Sequence, residues 1–110
     1  MSKETYIVQA GRTPIGSFGG ELSEFSSSQL GAKVISGLLD NINFDLDEIE
    51  EVIMGNVLSA GVGQAPARQA ALFADLPNKV ECLTINKMCG SGLKAVMLAD
   101  NIIKSNGSDL

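Results

Sequence analysis

The chain has 110 residues, with 8 Lys plus Arg against 13 Asp plus Glu and a formal charge of −5. Hydrophobic residues make up 45% and charged residues 19%, which fits a globular domain and excludes a disordered tail or a collagen-like repeat. A chain of this length buries roughly 60–70% of its unfolded surface, enough for one core.

The composition contains no histidine, so no His-dependent triad, proton shuttle or His-containing metal site can be assembled from these residues alone. The acidic balance argues against nucleic acid, whose phosphates call for clustered Lys and Arg. Six acids, Asp40, Asp45, Asp47, Glu48, Glu50 and Glu51, lie close together and read as a solvated face. The longest charge-free stretch, Val52 to Ala67, holds Asn56, Gln64, Pro66 and three glycines and does not read as a membrane span. Two cysteines without CxxC spacing, and an opening with no basic region before an apolar run, lead us to expect a reduced, cytoplasmic protein.

In chain order, TYIVQA at 5–10 reads as a buried first strand ended by Gly11. A glycine-punctuated loop runs to about Phe25. Serines 26–28 offer an N-cap, and Leu30, Val34, Ile35, Leu38 and Leu39 recur at helical spacing as far as Asp40-Asn41. Residues 47–50 predict one short turn, and VIMGNV at 52–57 a second strand. SAGVGQ is loop, and Pro66 opens a short helix over ARQAALFA that Leu76-Pro77-Asn78 breaks. ECLTIN at 81–86 predicts a third strand. A last helix opens near Gly90, with Leu93, Val96, Met97, Asp100 and Lys104 along one side and Gly107 as its C′ residue. Strands alternating with helices point to an α/β fold with a parallel-type sheet.

Cys89 is the residue on which chemistry centres. It lies in Asn86-Lys87-Met88-Cys89-Gly90-Ser91-Gly92-Leu93, between a strand and a helix start. A helix N-terminus presents free N–H groups and a positive dipole end, which favour a thiolate and can stabilise an oxyanion. Lys87 and Lys94 add positive charge, and Gly90 and Gly92 leave room for a bulky acyl donor. The pattern suits an acyl-accepting thiol. It equally suits a small buried hydrophobe in a tight turn, and the spacing leaves both open. Cys82, in mid-strand, reads as a core residue. Gly90-Ser-Gly92-Leu-Lys-Ala95 also matches a dinucleotide-binding fingerprint, with Asp109 about 20 residues on. However, the helix running to about Ser105 leaves no room for the strand that should end in that acid.

The undecapeptide NKMCGSGLKAV at 86–96 resembles the segment holding the acyl-accepting cysteine of the thiolase family, in its acetyl-CoA acetyltransferase branch. AGRTPIGSFGG at 10–20 and VIMGNVLSAGVGQAPARQAAL at 52–72 are similar to further stretches of that family in order and spacing. The resemblance implies a thiolase-like α/β fold, namely the partial N-terminal half of an αβαβα layered architecture with a mixed sheet. Residues 1–110 would be an incomplete N-terminal domain carrying the nucleophile. It implies Cys89 as the acyl-thioester nucleophile, acetyl-CoA and acetoacetyl-CoA as substrates, and coenzyme A as acyl carrier. No metal or permanently bound cofactor is implied. The family's activating histidine, second cysteine and CoA-embracing loop would lie outside these residues, and a homo-oligomer is expected, with 81–86 near a partner subunit. A β-ketoacyl-synthase-like condensing enzyme and a non-catalytic thiolase-like interaction protein are the alternatives. Arg12-Thr-Pro14 and Gly63 to Gln69 argue against the first, and retention of Cys89 against the second.

Overall fold

A computed structural model describes residues 3–110. In chain order it contains α1 (Ser27–Leu39), a single 3₁₀ turn (Leu46–Glu48), β1 (Glu51–Gly55), α2 (Pro66–Phe73), β2 (Glu81–Ile85) and α3 (Ser91–Lys104).

Helix α1 starts where a capping box closes. The Ser26 hydroxyl accepts from the Gln29 N–H at 3.1 Å, and the Gln29 side-chain oxygen accepts from the Ser26 N–H at 2.8 Å. Its most buried residues are small: Ser28, Gly31 and Ala32. A Cβ at Gly31 would stand 3.0 Å from the Met54 Cε and 3.2 Å from the Ala70 Cβ, so the glycine sets how closely α1 lies on β1 and α2. The predicted stripe of larger residues is only half-buried, with Ile35 and Leu39 reaching the core.

Strands β1 and β2 pair in parallel, from Glu51 opposite Glu81 to Gly55 opposite Ile85. The connection between them carries α2, as parallel strands require. Pro66 occupies the first turn of α2, and its N-cap, Ala65, takes a left-handed φ of 50° with no side-chain cap. Instead, the Thr84 hydroxyl on β2 accepts from the Ala67 N–H at 2.9 Å, satisfying one of the donors a helix start leaves free.

Alternation along the strands sorts the layers. Val52 packs with the core, Met54 with α1, and Cys82 and Thr84 lie toward α2. Ile53 and Gly55 face α3. The result is α1 and α2 on one face of the sheet and α3 on the other. The core is built from Ala32, Ile49, Ala71, Ala74, Leu76 and Val80, mostly small side chains that keep the helices close.

The structure corrects three expectations. Residues 5–10 form no strand among the described residues, and Tyr6, Ile7 and Val8 are 73%, 81% and 55% exposed. The apolar pattern is present, but a strand exists only where a neighbour pairs with its N–H and C=O groups. The described residues therefore hold two strands rather than three. Each strand also ends one or two residues earlier than predicted, at Gly55 and Ile85. At the end of α3, Asn106 and not Gly107 takes the left-handed C′ conformation, with φ 62°. The Asn106 N–H donates to Ile103 at 3.1 Å and the Gly107 N–H to Ile102 at 2.8 Å, a Schellman closure. Gly107 serves that closure by its small size, since a Cβ there would sit 3.0 Å from Ile102 Cγ2.

Candidate active site

Because β1 and β2 are parallel, the loops that follow them leave the sheet at the same end, the carboxyl end where α/β proteins place their ligands. The loop after β1 is braced internally. The Asn56 amide donates to the Ser59 hydroxyl at 3.0 Å, and the Gln69 amide donates to the carbonyls of Val62 and Gln64 at 3.0 and 2.7 Å. The loop after β2 carries Cys89.

Lys87 to Gly90 form a tight turn, closed by the Gly90 N–H donating to the Lys87 carbonyl at 2.7 Å. Cys89 is exposed and has φ 60°, in the left-handed region. That conformation costs a side-chain-bearing residue roughly 1–2 kcal/mol. Gly90 beside it has an unremarkable φ of −142°. The strain is therefore held by the cysteine and not by the flanking glycine, a distribution found where backbone geometry serves a site.

Gly90 is the N-cap of α3 and supplies no side-chain cap, and no acid lies in the first turn. The earliest backbone bond of α3 runs from the Lys94 N–H to the Gly90 carbonyl at 2.9 Å. The N–H groups before it have no partner within the helix, and such free donors suit a developing oxyanion. A Cβ at Gly92 would meet nothing within 4 Å, and one at Gly90 only the Lys87 backbone and stem from 3.7 Å outward. The approach to the cysteine is open. Met88 and Leu93, close to Cys89 in sequence, are large apolar residues left 78% and 69% exposed.

The second cysteine takes no part. Cys82 is half-buried on the α2 side of the sheet, its sulfur 3.6 Å from the Val80 carbonyl and 4.0 Å from an Arg68 guanidinium nitrogen. The same guanidinium donates to the Val80 and Asn78 carbonyls at 2.9 Å each, fixing the entry to β2. Both cysteines are free thiols. Among the described residues no cluster of three His, Cys, Asp or Glu could hold a metal ion, and no helix is long and apolar enough to cross a membrane.

Sequence reasoning missed two residues at the site, Gly55 and Ser91. Ser91 is only 8% exposed, and its hydroxyl accepts from the Lys87 N–H at 2.9 Å and donates to the Lys87 carbonyl at 3.0 Å. Gly55, the last residue of β1, lies directly against it. A glycine inside an otherwise β-forming run, often a mark of close backbone approach, was the available signal.

Comparison with known proteins agrees with this architecture. The family model described as thiolase, N-terminal domain, matches residues 5–110. An acetyl-CoA acetyltransferase of Allochromatium vinosum is 50% identical over 110 residues, covering all of this chain and 28% of that protein. The human mitochondrial acetyl-CoA acetyltransferase is 47% identical over 108 residues, covering 98% of this chain and 25% of that protein. A thiolase from Ascaris suum, crystallised in complex with coenzyme A, superposes with a TM-score of 0.93 at 40% identity, over 96% of this chain and 28% of that one. The chain thus spans about a quarter of the length of the relatives it matches. With its sequence matched from residue 5 to the last and its fold shared, the chain belongs to the thiolase family, as part of that family's N-terminal domain.

Proposed function

We propose that residues 1–110 are an incomplete N-terminal thiolase domain and that Cys89 is its acyl-accepting nucleophile. In this reading the whole protein is an acetyl-CoA acetyltransferase that condenses two acetyl-CoA to acetoacetyl-CoA and CoA, or runs the reverse thiolysis. The observation that carries it is the exposed, left-handed Cys89 one residue before the uncapped N-terminus of α3, in a chain of this family.

The Cys89 sulfur attacks the thioester carbonyl carbon of acetyl-CoA, and the carbonyl oxygen takes up the charge. As the carbon–sulfur bond to CoA breaks, the tetrahedral species collapses to acetyl-Cys89. CoA leaves as a thiolate and is protonated to the thiol. A second acetyl-CoA, deprotonated at its methyl carbon, then attacks the acetyl-Cys89 carbonyl, forming the new carbon–carbon bond and returning the Cys89 thiolate. N–H groups at the start of α3 can stabilise the oxyanion, because they are fixed before charge develops. The proton acceptors are not histidines of this chain, which has none.

CoA enters as substrate and acyl carrier, a reading supported by the coenzyme A complex of the Ascaris thiolase. We read the protein as a cytoplasmic homo-oligomer of fatty acid metabolism without a resident cofactor. The two free thiols support a reducing compartment, and the half-exposed Leu83 on β2 supports burial against another surface. The test is thiolytic cleavage of acetoacetyl-CoA by the full-length protein. Activity lost in Cys89→Ala and kept in Cys82→Ser supports the assignment. Activity retained in Cys89→Ala overturns it.

A further inference from the structure

The geometry points to Ser91 and Gly55 as positioning residues that together hold Cys89 in its left-handed conformation, and the functional part of this inference rests on Cys89 being the nucleophile.

The turn that carries Cys89 begins at Lys87, and a single side chain satisfies both backbone groups of that residue. The Ser91 hydroxyl accepts from the Lys87 N–H at 2.9 Å and donates to the Lys87 carbonyl at 3.0 Å, while the Gly90 N–H reaches the same carbonyl at 2.7 Å. The peptide planes on both sides of Lys87 are thereby tied to the first residue of α3. Three residues, Met88, Cys89 and Gly90, must bridge the short span that remains. The bridge closes with positive φ at Cys89. Gly90 is the N-cap, so Ser91, one residue further on, has no capping role at its own helix start. Its hydroxyl turns back to Lys87 and so occupies none of the free N–H groups at the start of α3.

Gly55 makes this arrangement possible. A Cβ at position 55 would stand 2.4 Å from the Ser91 Cβ, 3.0 Å from the Ser91 carbonyl carbon and 3.2 Å from the Gly92 nitrogen. Two of these atoms are backbone, so a side chain at 55 cannot be accommodated by a rotamer change and must displace the first turn of α3. The end of β1 therefore sets the depth at which Ser91 sits, and Ser91 sets the turn. Burial of Ser91 keeps water from competing for the Lys87 groups.

The test uses the full-length protein in four forms: wild type, Ser91→Ala, Ser91→Thr and Gly55→Ala. Two readouts are taken, the rate of acetyl incorporation at Cys89 from acetyl-CoA and the crystallographic φ of residue 89. Ser91→Ala and Gly55→Ala are expected to slow acetylation by on the order of tenfold, about 1.4 kcal/mol of barrier. The acetyl-CoA concentration giving half the maximal rate should stay unchanged, and residue 89 should leave positive φ. Ser91→Thr, which keeps the hydroxyl, should recover most of the rate. If Ser91→Ala keeps either the wild-type φ or the wild-type rate, the positioning role is overturned. If the wild type takes up no acetyl group at Cys89, the nucleophile assignment fails instead, and the φ of residue 89 in Ser91→Ala still decides whether Ser91 holds the turn.

Discussion

Replacing Cys89 by glycine is expected to stabilise the protein relative to replacing it by alanine. At ordinary positions glycine is the worse choice, because the unfolded chain has more freedom to lose, by about 0.5–1 kcal/mol relative to alanine. Position 89 has φ 60°, where a Cβ costs roughly 1–2 kcal/mol and glycine costs nothing. The second effect outweighs the first, leaving Cys89→Gly more stable than Cys89→Ala by about 0.5–1 kcal/mol. For a chain of this size that corresponds to a rise in melting temperature of about 2–4 °C. Asn101, exposed in the interior of α3, is the internal control. There Asn101→Gly should melt below Asn101→Ala, reflecting about 1 kcal/mol in the opposite direction. Thermal unfolding of the four variants at one protein concentration reads the comparison directly. If glycine proves worse than alanine at both positions, Cys89 stores no backbone strain and the reasoning fails.

Three further outcomes are expected. Ser26→Ala removes one half of the capping box at α1 and should cost about 1 kcal/mol, with faster amide exchange confined to the first turn of α1. Asp100 is held below the usual carboxylate range, first by the neighbouring Thr5 hydroxyl and then by Lys104, whose ammonium is 3.0 Å away. Its contribution to stability is therefore present above about pH 4 and lost as pH falls through the lowered folded value. Asp100→Asn should flatten the acid limb of the stability profile below pH 4, and an unchanged limb in acid titration of thermal unfolding would refute this. With iodoacetamide under native conditions, exposed Cys89 should be alkylated well before half-buried Cys82, and equal rates measured by peptide mass spectrometry would contradict the burial described above.

The helices were the legible part of this chain. The serine run at 26–28, Pro66 and Gly90 mark helix starts through local chemistry, and each lies where the structure begins a helix. TYIVQA misled because strand formation depends on a partner that lies elsewhere in the chain, whereas the apolar pattern is local. Gly31 and Gly55 were not legible as contact points, since their importance comes from which atoms of other elements approach them. At the site, Gly90 and Gly92 read as room for a bulky acyl donor, and neither takes the left-handed conformation. The positive φ falls on Cys89 instead, because the Lys87–Gly90 hydrogen bond and the Ser91 hydroxyl close the turn around it. Cys82 could be set aside from sequence by its mid-strand position, and its contacts with Val80 and Arg68 explain what it does there.

The proposed role of Cys89 is to carry the acyl group between substrates. Its most direct test is to mix the full-length protein with acetyl-CoA, quench in acid and map the acetylated peptide by mass spectrometry. One acetyl group per chain is expected on the peptide containing Cys89, removed by added CoA with return of acetyl-CoA. An acetyl group on another residue, or turnover with no acetyl-Cys89 at any time point, would contradict it.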